Sequence, residues 1–125
     1  MELIKYILPF LMIVESNNDP YAIGKNEDLG ILQITPIVVE DVNRLYGTCY
    51  EHRDCFDHDI SVDIATKYLT TYGARYEQLE VKRVTLEVLA KIFHGGPRGY
   101  LKPHTEAYWQ KVKTQIELSN QQNIK

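Results

Sequence analysis

A glutamate sits where the pattern of this chain asks for an apolar side chain. Ile4, Leu8, Leu11 and Met12 recur at the three- and four-residue spacing of one helical face, and Glu15 is next on that face. A carboxyl group ending an apolar stripe loses solvent, which disfavours the anion and raises the pKa. A glutamic acid so placed can hold its proton near neutrality and pass it to a leaving oxygen as a general acid. The alternative is a helix-end carboxylate turned out to water. Gln33, eighteen residues later, offers an amide either to a polar substrate or to loop backbone. Phe93 and His94 close an apolar helical run just before Gly95-Gly96-Pro97. There the helix dipole favours a charged imidazole. His94 can either line a cleft or hydrogen-bond a free helix-end carbonyl. Tyr108 has a ring to pack into a core and a hydroxyl able to orient a carboxyl group.

A second group of reactive side chains lies in one loop. Cys49, His52, Cys55 and His58 follow a C-x2-H-x2-C-x2-H spacing. Thiolate and neutral imidazole bind zinc, but this spacing matches no common zinc module, and no metal site is expected. A local disulfide between Cys49 and Cys55 in an oxidising compartment, or two reduced thiols, are the other readings.

Glu15-Ser16, Pro20-x-Ala22, Gly30-x-x-Gln33 and Gly95-Gly96-Pro97, in this order and spacing, resemble the soluble lytic transglycosylases. These are lysozyme-like enzymes that cut the glycan of bacterial cell walls. The chain looks most like the short versions of the domain found in bacteriophages, over about Ile7 to Val112. The resemblance implies that Glu15 protonates the glycosidic oxygen between N-acetylmuramic acid and N-acetylglucosamine. Glu15 then acts as base on the muramyl 6-hydroxyl, giving a 1,6-anhydro product with no metal or organic cofactor. It further implies substrate contacts from Ser16, Gln33, Phe93, His94 and Tyr108, with the Tyr108 hydroxyl orienting Glu15.

The chain departs from the family pattern at two places. The family usually has an aromatic residue, often Tyr, followed by Asn where this chain has Phe93-His94. Phe93 lacks a hydroxyl, and His94 is bulkier than Asn and can carry charge. On the enzymatic reading, His94 tunes the pH profile without being the essential acid. The family also often has Ser nine residues after the Glu, and Gly24 stands there. Two alternatives follow. One is a goose-type hydrolase, with Asp19 or Asp28 placing a water. The other is a non-catalytic wall-binding or virion structural module.

The elements that must position these groups read as about five helices. The first covers roughly Leu3 to Ser16, and Pro9 either kinks it or sits in the first turn of a shorter helix. Turn-forming residues fill Asn17 to Asp28, with a small extended or hairpin segment expected near 21–34. Thr35-Pro36 opens a second helix that ends at Gly47. Asp57 or Asp59 caps a third running to about Tyr76, with Gly73 weakening its last turn. Thr85 caps a fourth that Gly95-Gly96-Pro97 stops, and Thr105 opens a fifth. The expectation is a mainly α, lysozyme-like single domain over 1–118, with a fraying polar tail over 119–125.

Composition narrows the partners. The 125 residues are 44% hydrophobic and 25% charged, which fits one domain with an ordinary core. The net charge of -3 argues against a nucleic-acid binder. No apolar run is long enough to cross a bilayer. Ile7 to Val14 follows Lys5 as in a signal peptide, but Glu2, Pro9 and the lack of a small-residue cleavage site fit that poorly. A monomer acting on peptidoglycan strands is expected. It would be made in the cytoplasm and reach the wall by lysis, virion delivery or a separate secretion route.

Overall fold

The computed structural model describes residues 2–124 and contains five α-helices. They are α1 (Glu2–Ser16), α2 (Pro36–Tyr46), α3 (His58–Glu80), α4 (Leu86–Gly95) and α5 (Thr105–Ile124). Short 3₁₀ turns at His52–Phe56 and Gly99–Leu101 precede α3 and α5. Among the described residues there is no sheet. The extended segment expected near 21–34 is reduced to two isolated antiparallel bridges, Ile23 with Leu29 and Leu29 with Ile34. The architecture is that of a small, mainly α, lysozyme-like domain. No helix is long and apolar enough to cross a membrane among the described residues.

Helix α1 is one of the central helices. Ile4, Ile7, Leu8, Leu11 and Met12 are buried, and the helix packs against α3, α4 and α5. It begins at Glu2, so Pro9 lies inside the helix and not in its first turn. Lys5 and Pro9 are both exposed, so water can serve the Lys5 carbonyl that Pro9 leaves without a helical donor. The helix stops at two consecutive left-handed asparagines, Asn17 (φ 55°) and Asn18 (φ 65°). Their N–H groups donate back to Ile13 and Met12 carbonyls at 2.9 and 3.2 Å. Asparagine tolerates that backbone region better than most side chains. The stop leaves Glu15 in the last turn.

The caps read from the sequence hold. Thr35, Asp57 and Thr85 accept from the N–H groups of Val38, Ile60 and Val88, and Gly47 ends α2 in the left-handed region. Two boundaries differ from expectation. Helix α3 runs one turn further, to Glu80, because Gly73 is buried against Leu89 and Val84 of the neighbouring segment and packing supports the helix there. Helix α5 continues through the polar segment after Ser119 to Ile124, where no Gly or Pro interrupts it.

The start of α5 is tied both to α4 and to the turn between them. Lys91 on α4 pairs with Glu106 on α5 at 2.9 Å, and the buried Thr105 hydroxyl donates to the Gly99 carbonyl at 2.9 Å. The loop after α1 is pinned differently. Gly30 has φ 81°, and a Cβ added there would lie 1.8 Å from the Cys55 carbonyl oxygen. Gly30→Ala is therefore expected to lower stability by about 3 kcal/mol or more, roughly a 10 °C fall in Tm. Gly47→Ala also needs a left-handed backbone, but its added Cβ meets nothing within 4 Å, so about 1 kcal/mol is expected. Thermal unfolding of both variants checks this, and equal losses would contradict the close approach of Gly30 to Cys55.

Candidate active site

A cleft of about 830 Å³ opens beside the end of α1. Glu15, Gln33, Phe93 and His94 all line it, with Asp28 and the Gly95-Gly96-Pro97 rim. The opposite wall comes from α2 and α3, through Ile37, Val38, Glu40, Asp41, Arg44, Tyr68 and Tyr72.

Glu15 is half-buried, and its carboxyl pKa is raised from 4.5 to about 7. Burial is the main cause. The Tyr108 hydrogen bond pulls the value back down, nearby Asp28 pushes it up and Lys111 pulls it down. Its place in the last turn of α1, at the negative end of the helix dipole, disfavours the anion further. The Tyr108 hydroxyl donates to Glu15 Oε2 at 2.8 Å, across 93 residues of sequence. Tyr108 is itself buried, which raises its phenol pKa and keeps it a donor. With one carboxyl oxygen taken by Tyr108, a proton on the other is free to point into the cleft.

Gln33 has a left-handed backbone (φ 50°). Its amide nitrogen donates to the Ala22 and Gly30 carbonyls at 3.1 and 2.9 Å. Both amide hydrogens are thus used on the loop, and the side chain has only its oxygen to offer a ligand. A Cβ at Gly24 would lie 2.5 Å from that oxygen. The serine common in the family at this position would collide with Gln33 as it is oriented here.

Ser16 does not line the cleft. Its hydroxyl donates to the Ile31 carbonyl at 2.8 Å and accepts from the Asp19 N–H at 3.0 Å, tying the loop to the end of α1. Asp19 is exposed, and its carboxylate accepts from the Tyr21 N–H at 2.9 Å. Asp28 does face the cleft, and its Oδ1 is buried without a hydrogen-bond partner among the described residues.

Of the two roles set out for His94, it takes the first, lining the cleft, and not the second, capping its helix. The carbonyl at the end of α4, that of Gly95, accepts from Lys102 Nζ at 2.7 Å and not from His94. The His94 ring instead stacks on the Tyr108 ring, with centroids 4.1 Å apart and planes 6° from parallel. The helix-end dipole favours the charged imidazole, yet the His94 pKa is lowered. Burial outweighs the dipole, His104 and Lys111 add repulsion, and Asp28 opposes them only in part.

The cysteine loop does not form a cluster. Cys49 is exposed and Cys55 is buried, both as free thiols, and burial pushes the Cys55 thiol up to about 12. The His52 Nε2–H donates to the Ile34 carbonyl at 2.7 Å, while His58 pairs with Asp59. Among the described residues, no group of three His, Cys, Asp or Glu side chains is arranged to hold a metal.

The α2 and α3 wall is what sequence reasoning missed. Tyr68 and Tyr72, four residues apart on α3, are buried in the core, and they also floor the cleft. A run of tyrosines in a stripe is a usable signal, since each carries a polar tip that needs a partner. The Tyr72 hydroxyl finds one in Asp41, which also pairs with Arg44.

No curated protein and no solved structure matches the chain. The family model described as the transglycosylase SLT domain matches residues 2–116, from the first turn of α1 well into α5. A match over nearly the whole chain, which takes in the Glu15 cleft from end to end, shows that this protein belongs to the transglycosylase SLT domain family.

Proposed function

We propose that this SLT domain cleaves the β-1,4 bond between N-acetylmuramic acid and N-acetylglucosamine, with Glu15 as general acid and then base. The family places the activity on peptidoglycan and makes it glycan-cleaving. The observation that carries the finer reading is the Glu15 carboxyl, half-buried in the cleft, raised to about 7 and held on one oxygen by Tyr108. Such a group is largely protonated at mildly acid pH and still substantially so at neutrality.

In the first step the Glu15 proton passes to the glycosidic oxygen as the bond to the muramyl anomeric carbon breaks. Tyr108 continues to donate to the carboxylate that forms, where its bond is strongest. In the second step the carboxylate takes the proton of the muramyl 6-hydroxyl, whose oxygen bonds to the anomeric carbon. The product is a 1,6-anhydromuramyl end, no water is consumed, and Glu15 regains its starting state. The Gln33 oxygen serves as an acceptor for a sugar hydroxyl or acetamido N–H. Ser16 is a positioning residue that holds the loop carrying Gln33.

One observation favours a second reading, hydrolysis. Asp28 lies in the cleft beside Glu15 with a buried oxygen that lacks a donor. A carboxylate there can hold and orient an attacking water. Asp19, already spent on the Tyr21 N–H and outside the cleft, does not fit that role.

Two experiments test these readings. Glu15→Gln is expected to reduce cleavage of purified peptidoglycan by at least about a hundredfold with the helical circular-dichroism spectrum intact. A folded, active variant would remove Glu15 from the chemistry. The same variant carries a stability signature. Glu15 is near 7 when folded and near 4.5 when unfolded. The stability this confers is full below 4.5 and lost as pH rises through 7. Relative to wild type, Glu15→Gln should therefore gain on the order of 3 kcal/mol between pH 4 and pH 8, measured by denaturant unfolding at both.

Mass spectrometry of the muropeptides separates the two reactions. Anhydro ends, one water lighter than hydrolysis products, are expected, and Asp28→Asn should leave that product type unchanged. Reducing ends in wild type that disappear in Asp28→Asn would establish the hydrolytic reading instead.

A further inference from the structure

The contact between His94 and Tyr108 has no counterpart in the role the family gives this position. The imidazole lies face to face with the phenol, 4.1 Å between centroids and 6° from parallel. The hydroxyl of that same phenol is 2.8 Å from Glu15 Oε2. His94 and Glu15 therefore touch opposite parts of one buried side chain. The Gly95 carbonyl is served by Lys102, so capping does not explain the ring's orientation. We propose that His94 is a positioning residue that acts on Glu15 through Tyr108: its neutral ring clamps the phenol in place, and a proton on it turns the clamp into a cation that favours the Glu15 carboxylate and so weakens it as the base of the second step. This rests on the reading of Glu15 as the general acid and then the base.

The sign follows from the groups around the imidazole. Tyr108 and Lys111 face it from α5, and His104 sits 6.1 Å away in the turn before α5. Asp28 faces it from the loop after α1. Burial and the neighbouring His104 and Lys111 oppose a proton, Asp28 favours one, and the balance lies below the ordinary 6.5. At neutral pH the stack is therefore between two uncharged rings. When pH falls far enough to charge His94, the cation on the phenol face draws electron density from the hydroxyl. Tyr108 becomes a stronger donor, and the Glu15 carboxylate is stabilised over the carboxylic acid. The field of the imidazolium acts in the same direction. The lowered pKa leaves Glu15 able to donate in the first step but makes its carboxylate a poorer base for the second, so activity falls on the acid side as His94 takes up its proton.

Two variants and two readouts test the proposal. His94→Phe keeps a flat ring that cannot titrate, and His94→Asn restores the usual family residue and removes the ring. The first readout needs no substrate: the ring-carbon NMR signal of Tyr108 bearing the hydroxyl, assigned by its loss in Tyr108→Phe, is followed against pH. Wild type should show two steps, one near 7 with Glu15 and one below 6.5 with His94. The lower step should vanish in His94→Phe and in His94→Asn. The second readout is kcat/KM on peptidoglycan across pH, where wild type should show an acid limb at the lower step that both variants lack. His94→Phe should also exceed His94→Asn in kcat by about fivefold or more, because only it retains the clamp.

A single Tyr108 step in wild type, or a lower step that persists in His94→Phe, would overturn the proposal. So would equal kcat in the two variants. Failure of wild type to cleave peptidoglycan would instead strike the functional reading, and the NMR titration would still decide the coupling.

Discussion

The hydrogen bond from Tyr108 to Glu15 ties the last helix of the domain to the first. Everything that holds either end bears on the proposed acid. The Asn17-Asn18 stop fixes where α1 ends, and so fixes Glu15 in the final turn. The Lys91–Glu106 pair and the buried Thr105 hydroxyl set the register of α4 against α5, which sets Tyr108 against both Glu15 and His94. The bond spans elements formed by very different parts of the sequence, so the site exists only when the whole domain is folded.

The same bond holds two opposing forces in balance. Burial drives Glu15 towards the neutral acid, while Tyr108 and Lys111 favour the anion. A deeper, unpartnered carboxyl would never give up its proton at neutral pH, and a solvated one would already have lost it. The balance has a cost. Above neutrality the folded state carries an ionised carboxylate it would rather protonate, worth on the order of 3 kcal/mol, against a total stability of roughly 5–15 kcal/mol for a domain of ordinary size. The apolar face of α1 offsets that cost. It buries Ile4, Ile7, Leu8, Leu11 and Met12 on the same side as Glu15.

Local signals carried the sequence reading well where one residue decides one turn. Thr35-Pro36 and Gly47 mark α2 to the residue, and Thr85 and Gly96 do the same for α4. The stripe Ile4-Leu8-Leu11-Met12 placed Glu15 on the buried face without any tertiary information. Reasoning of that kind fails where packing decides. Gly73 looks like a weak point in a helix, but its lack of a side chain lets Leu89 approach. His94 at a helix end looks like a charged cap, but burial and repulsion from His104 and Lys111 reverse the expected direction. The far wall of the cleft needs α2 and α3 to be placed side by side, and no spacing within either helix states that. Ser16 is adjacent to the acid in sequence and yet faces the loop backbone, because successive helical residues point about a quarter-turn apart.

The most direct test is the Glu15 pKa itself, read from the carboxyl carbon by NMR in substrate-free protein. A value near 7 is expected in wild type, and a higher one in Tyr108→Phe, since that change removes a donor that favours the anion while leaving the ring that buries it. A wild-type value near 4.5, the ordinary position for a solvated glutamate, would contradict the account, as would a value that falls when the Tyr108 hydroxyl is removed.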